Sequence, residues 1–114
     1  MITFTITLTK KDTDPWITMN TVEENFTQIE KDTIITPFIN FESSLTGLQS
    51  GYPTYVTEGD THIVTYVFDT IENLTASRTA HQDNDICKAK NKLFADTLKA
   101  KGITYASVGE TILE

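Results

Sequence analysis

The sequence predicts an α+β domain with the element order strand, helix, strand, strand, helix, strand. Three observations carry that prediction. Residues 2–9 alternate without exception between apolar side chains and threonine. Residues 61–69 form a second strand-like run directly after a Glu58-Gly59-Asp60 hairpin signal. Two helical stretches opened by capping residues separate the strands.

In the first strand Ile2, Phe4, Ile6 and Leu8 make one face, and Thr3, Thr5, Thr7 and Thr9 the other. Lys10 to Trp16, with Asp14-Pro15, reads as a loop. Thr21 reads as an N-cap, with Glu24 completing a capping box. Val22, Phe26, Ile29 and Thr33 then fall within one arc of a helix. A second stripe, Ile34, Phe38, Phe41 and Leu45, is interrupted by Pro37. Proline has no N–H but fits a first helical turn, so a kinked second helical piece ending near Gly47 is expected. An extended path over residues 38–42 is the alternative.

Tyr52–Thr57 and Thr61–Asp69 are the paired strands, and Pro53, unable to donate a ladder hydrogen bond, places the first of them at a sheet edge. Asp69 or Thr70 caps a short helix through about Arg78, and Thr79–Asn84 reads as a loop. Asp83 to Asp85 caps the next helix, which turns Ile86, Ala89, Leu93, Phe94, Thr97 and Leu98 inward and stops at Gly102. Lys90 lies in that apolar arc, where its stem packs and its ammonium reaches for water. Ile103–Val108 is the last strand. Right-handed crossovers then give one ferredoxin-like domain over residues 1–114: a four-stranded antiparallel sheet, helices on one face, and residues 2–9 and 61–69 at its centre. Phe26, Ile29, Leu93 and Leu98 are the expected helix side of the core, facing Phe4 and Ile6.

The third strand is apolar on both faces. Turning Ile63 and Val67 toward the helices sends His62, Val64, Tyr66 and Phe68 to the open face, beside the threonines. An exposed aromatic patch of that kind needs a cover, and a second copy of the same sheet is the simplest one. Val64, Tyr66 and Phe68 are thus the expected homodimer interface.

Composition narrows the function classes. A chain of 114 residues can bury about two-thirds of its unfolded surface. Its net charge of −7 argues against nucleic acid as a partner. No apolar run approaches the roughly 18 residues of a membrane span, and the N-terminus lacks the pattern of a signal peptide, so no membrane is expected. One cysteine, Cys87, excludes an internal disulfide and makes a reducing cytoplasm the default.

TYVFDTIENLTAS, a strand passing into a helix, is followed by the longer helix DICKAKNKLFADTLKAKG. In this order of elements the chain resembles the dimeric α+β barrel superfamily, ferredoxin-like dimers that include antibiotic-biosynthesis-type monooxygenases and stress-responsive A/B-barrel proteins. The resemblance implies a homodimer with a ligand pocket between sheet and helices. Some members oxidise aromatic substrates without a cofactor, and others bind haem. The Asn, Trp and His constellation of some of the oxygenases has no residue-by-residue counterpart here, so the resemblance assigns no catalytic residue.

Among residues able to do chemistry, His62 follows Asp60 by two positions, and a carboxylate there would orient the ring and raise its pKa. With Tyr66 it forms the acid–base candidate; a half-solvated histidine at a hairpin exit is the competing reading. Trp16, Phe38 and Phe41, with His62 and Tyr66, are the pocket candidates, although aromatics more often fill cores. His81, Asp83, Asp85 and Cys87 have the residue types of metal ligands. Capping accounts for the aspartates, however, and Cys87 suits a small buried hydrophobe, so no metal is expected. No phosphate-cradling glycine loop or nucleophile-elbow motif occurs, and no cofactor is expected. The function that fits is binding of a small apolar or aromatic molecule by a small dimer, extending to cofactor-free monooxygenase-like chemistry. A non-catalytic association module is the alternative.

Overall fold

The computed structural model describes residues 1–10 and 14–114. Residues 11–13 of the expected Lys10–Trp16 loop lie outside the described residues. Strand β1 (Ile2–Lys10) is central, flanked by β3 (Thr61–Phe68) and β4 (Tyr105–Leu113), with β2 (Thr54–Glu58) on the outer edge of β3. All pairings are antiparallel, in the order β2-β3-β1-β4. This is the ferredoxin-like arrangement the element order predicts, and β2 lies at the sheet edge as expected, although it begins at Thr54, after Pro53.

The register corrects the expected faces of β3. Ile2, Phe4, Ile6 and Leu8 pair directly with Phe68, Tyr66, Val64 and His62. Directly paired residues of antiparallel strands point to the same side. Val64, Tyr66 and Phe68 therefore do not form the open face: they belong to the helix-covered one, where Tyr66 and Phe68 are buried. Ile63 and Val67 pair with Thr7 and Thr3, and it is they that share the open face with the threonines. Periodicity could not decide this, because both faces of the strand are apolar.

The first crossover is helical in pieces. A 3₁₀ turn (Met19–Thr21) leads into α1 (Val22–Asn25); α2 (Gln28–Glu30) then continues through a wide π-helical turn (Lys31–Ile35) into α3 (Thr36–Ser43). Thr21 does not cap α1 with its side chain. The capping boxes are Thr18 with Thr21 and Thr27 with Glu30. Between α1 and α2, Phe26 is extended (φ −124°, ψ 148°), which resets the helical phase. Phe26 is buried, while Ile29 is 75% exposed and leaves the core it was expected to join. Residues 38–42 are helical and not extended. The wide turn stands directly before Pro37, whose ring would otherwise crowd the carbonyl four residues back.

The second crossover holds α4 (Ile71–Asp83), capped by Thr70, and α5 (Asp85–Lys101), capped by Asn84, whose Oδ1 accepts from the amides of Ile86 and Cys87. Gly102 ends α5 in the left-handed conformation at φ +67°, where glycine carries no Cβ penalty. Residues 79–83, read as loop, extend α4 by more than a turn, and β4 runs on to Leu113 instead of ending at Val108.

Two apolar clusters result. Ile2, Phe4, Tyr66, Phe68 and Leu74 pack between the sheet and α4. Ile17, Phe26, Ile35 and Ile103 form the other, with Leu93, Phe94 and Leu98 against them. Leu93 and Leu98 thus pack with Phe26 in a cluster of their own and not over Phe4 and Ile6 as expected; the residue over Phe4 is Leu74.

Candidate functional site

Glu42, on α3, is the centre of a buried polar network. Its side chain falls one turn after Phe38, on the inward stripe of the helix, and is almost fully buried. Burying a carboxylate is costly unless hydrogen bonds replace its water. Three donors do so. The Tyr55 hydroxyl donates to Oε1 at 3.0 Å. The Tyr66 hydroxyl donates to Oε2 through a short hydrogen bond, and His81 Nε2 lies 3.1 Å from the same oxygen.

His81 stands on α4 one turn beyond Ser77 and two beyond Leu74, so these three share the inward face. Its Nδ1 lies 2.8 Å from the Ser77 carbonyl oxygen. That oxygen is only an acceptor, so Nδ1 carries a proton; Nε2 must then also carry one to bond the Glu42 carboxylate. Both contacts favour the protonated ring. Burial works against that charge, but the bonds to Glu42 and Ser77 outweigh it and raise the His81 pKa above its ordinary value. Burial, reinforced by the negative Glu42, pushes the Tyr55 and Tyr66 hydroxyls far above the usual phenol range, so both stay protonated.

Phe41, Tyr66 and Phe38 stand roughly perpendicular to the His81 ring, at centroid distances of 5.3, 6.0 and 6.2 Å. Lys90 does not reach out to water as its snorkelling pattern predicts. Its ammonium lies 4.7 Å from the Phe38 ring and 4.6 Å from the Phe94 ring. Burial there lowers its pKa.

Beside this network a cavity of about 210 Å³ opens between the sheet and α4. Phe4, Ile6, Phe68 and Leu74 make its apolar wall, Tyr66, Ser77 and His81 its polar end, and Arg78, Gln82 and Glu110 its mouth. Tyr66 and His81 therefore belong both to the cavity and to the Glu42 network.

The sequence-based site candidates divide into two groups. Tyr66, Phe38 and Phe41 gather around His81. Trp16 and His62 lie apart from it: their rings pack 5.4 Å from one another, and Trp16 also meets Tyr105 at 5.4 Å. His62 is wholly buried, not half-solvated, and its Nδ1 contacts the Thr57 hydroxyl at 2.6 Å. Asp60 instead accepts from the hydroxyl of Thr61 at 3.2 Å. Burial lowers the His62 pKa and favours the neutral ring, so its place is in the core and not in a carboxylate-assisted pair. The His81–Cys87 string does not converge: His81 turns to Glu42, Cys87 is buried, and Asp83 and Asp85 are exposed. Among the described residues no group of three or more His, Cys, Asp or Glu side chains is placed to hold a metal ion. No helix among them is long and apolar enough to cross a membrane.

No family model matches the sequence, and no curated protein does. Solved structures do match its backbone. A NIPSNAP domain protein from Burkholderia xenovorans superposes with a TM-score of 0.54 at 12% identity, over 100% of this chain and 93% of that one. A NIPSNAP family protein of unknown function from Agrobacterium tumefaciens gives 0.53 at 12% identity, over 99% and 86%. A Nitrosomonas europaea protein assigned to the antibiotic biosynthesis monooxygenases gives 0.50 at 12% identity, over 100% and 97%. The chain shares the ferredoxin-like α+β fold of these structures. At 12% identity the likeness concerns the path of the backbone and transfers no residue's role.

The sequence singles out neither Glu42, Ser77 nor Arg78 for this candidate site, and it offers His81 only as a metal-ligand type. A signal for Glu42 existed: it interrupts the apolar stripe Phe38, Phe41, Leu45 on its inward side.

Proposed function

We propose that the protein binds a small single-ring apolar or aromatic molecule in the cavity beneath α4 and moves a proton there through His81. The observation that carries this reading is the junction of an apolar cavity with a charged, fully bonded acid–base network at Tyr66 and His81. An apolar cavity of about 150 Å³ is enough to take up benzene, so about 210 Å³ suits a ring with one or two substituents. His81 is the titratable group of the site: Glu42 and Ser77 raise its pKa and hold the ring in place, so its Nε2 can exchange a proton with a ligand group that enters beside Tyr66. Proton removal from a phenolic ring is where cofactor-free monooxygenase-like chemistry would begin. A filled interior would have favoured a purely associative module; the cavity favours binding.

Calorimetric titration with benzyl alcohol at pH 7 tests the reading. Wild type should bind, and Leu74→Phe, which extends a wall side chain into the space, should weaken binding by about tenfold or more while keeping the fold. No saturable heat in wild type, or equal binding by the two proteins, would refute it.

We also propose that the open sheet face pairs with a second copy. Ile63 and Val67 take the anchoring place expected of Tyr66 and Phe68, among Thr3, Thr5, Thr7 and Thr65. Among the described residues no helix covers this face, and threonine methyls pack well against a like surface. Sedimentation at low micromolar concentration should give a dimer for wild type and a monomer for Val67→Asp. A monomeric wild type, or an intact Val67→Asp dimer, contradicts the pairing.

A further inference from the structure

The mouth of the cavity carries a guanidinium whose present partner is weakly held. Arg78 follows Ser77 on α4, and its Cζ lies 4.9 Å from the centre of the Phe4 ring, part of the cavity wall. Its Nη2 donates to Glu110 Oε2 on β4 at 2.7 Å, and the two side chains are 46% and 48% exposed. An ion pair this open to water contributes little to stability and exchanges partners readily. The contact uses one nitrogen, whereas a guanidinium is shaped to grip a planar carboxylate with two parallel N–H donors. Glu110 lies on an exposed edge strand, from which its side chain can turn into solvent.

We infer that the natural ligand is an aromatic carboxylate, its ring against Phe4 and Phe68 and its carboxylate on Arg78 in place of Glu110. The inference rests on the reading of the cavity as a binding site. Electrostatics adds a reason for a dedicated cation at that spot. The chain carries a net charge of −7, which repels anions in general, so a carboxylate ligand needs a local countercharge. Arg78 supplies it at the mouth, over the Phe4 ring. In the unliganded chain the Glu110 carboxylate occupies the position the ligand's carboxylate would take.

Benzoate, benzyl alcohol and acetate are the probes, titrated calorimetrically at pH 7 into wild type, Arg78→Met and Glu110→Gln. Benzoate and benzyl alcohol share the ring and differ in charge; acetate has the charge without the ring. Benzoate should bind wild type about tenfold or more tighter than benzyl alcohol, the effect expected of a charged hydrogen bond, with acetate giving no saturable heat. Arg78→Met should abolish the benzoate preference, so that benzoate binds no tighter than benzyl alcohol. Glu110→Gln, which removes the competing carboxylate, should strengthen benzoate several-fold. If benzyl alcohol binds wild type as well as benzoate, or Arg78→Met keeps the preference, the carboxylate inference fails while the cavity reading stands. If neither ring binds, both fall. Should Arg78→Met not fold, Glu110→Gln decides: an unchanged benzoate affinity overturns the inference.

Discussion

Glu42→Gln is the perturbation that bears most directly on the buried network. The amide keeps the size and shape of the carboxylate, so packing against Phe38 and Phe41 is preserved and the loss is electrostatic. Three hydrogen bonds end on the carboxylate, from Tyr55, Tyr66 and His81. A bond to a charged group contributes roughly 1.5–3 kcal/mol and a neutral one roughly 0.5–1.5, a difference of about 1 kcal/mol for each. The amide carbonyl takes the Oε2 position, where it accepts from Tyr66 and His81, and the NH₂ faces Tyr55, whose buried hydroxyl must rotate to accept it. The expected destabilisation is about 2–4 kcal/mol, read as a shift of the urea midpoint at pH 7 with an unchanged slope. NMR titration of the imidazole should show the His81 pKa falling from its raised value. A loss under about 0.5 kcal/mol, typical of a surface change, together with an unmoved His81 pKa, would refute the network.

Phe68→Ala should cost about 3–5 kcal/mol, because the ring is wholly buried between sheet and α4; a cost under about 1 kcal/mol, measured by urea denaturation, would mean that β3 turns its other face inward. Ile29→Asp should leave stability within about 0.5 kcal/mol, since the side chain is 75% exposed after the break at Phe26. The two histidines should show opposite pH dependence in urea midpoints taken between about pH 5 and 9. His81 has a raised folded pKa, so its contribution is full below the unfolded value of about 6.5 and is lost as pH rises through the folded value. His62 has a lowered folded pKa, so its neutral burial costs stability as pH falls below about 6.5. His81→Gln should flatten the alkaline side of the curve and His62→Gln the acidic side; the reverse pattern would overturn both assignments.

Local signals carried most of the architecture. The unbroken alternation of residues 2–9, the Gly59–Asp60 turn, Pro53 at an edge, the Thr70 cap and the Gly102 stop each depend on a few neighbouring residues, and each stands where its chemistry puts it. What escaped was set by tertiary contacts. The inward face of β3 depends on its register with β1, and a strand apolar on both sides holds no record of that choice. Two capping boxes compete over residues 21–30, and the Thr27–Glu30 box prevails because extending Phe26 buries an aromatic ring. Residues 79–83 contain no glycine or proline to end α4, and polar character alone mimicked a loop. The site was the least legible part, because Glu42, Tyr66 and His81 come from three distant segments. Only the cost of burying a carboxylate on an apolar stripe hinted that partners had to exist.

The central claim is that the cavity ending at His81 is where this protein takes its ligand. Side-chain and amide NMR spectra recorded while benzyl alcohol is added test it residue by residue. The account predicts saturable shifts at His81, Leu74 and Phe4, with the Trp16 and His62 signals unmoved. Shifts concentrated at Trp16 and His62, or no saturable shift at His81, would contradict it.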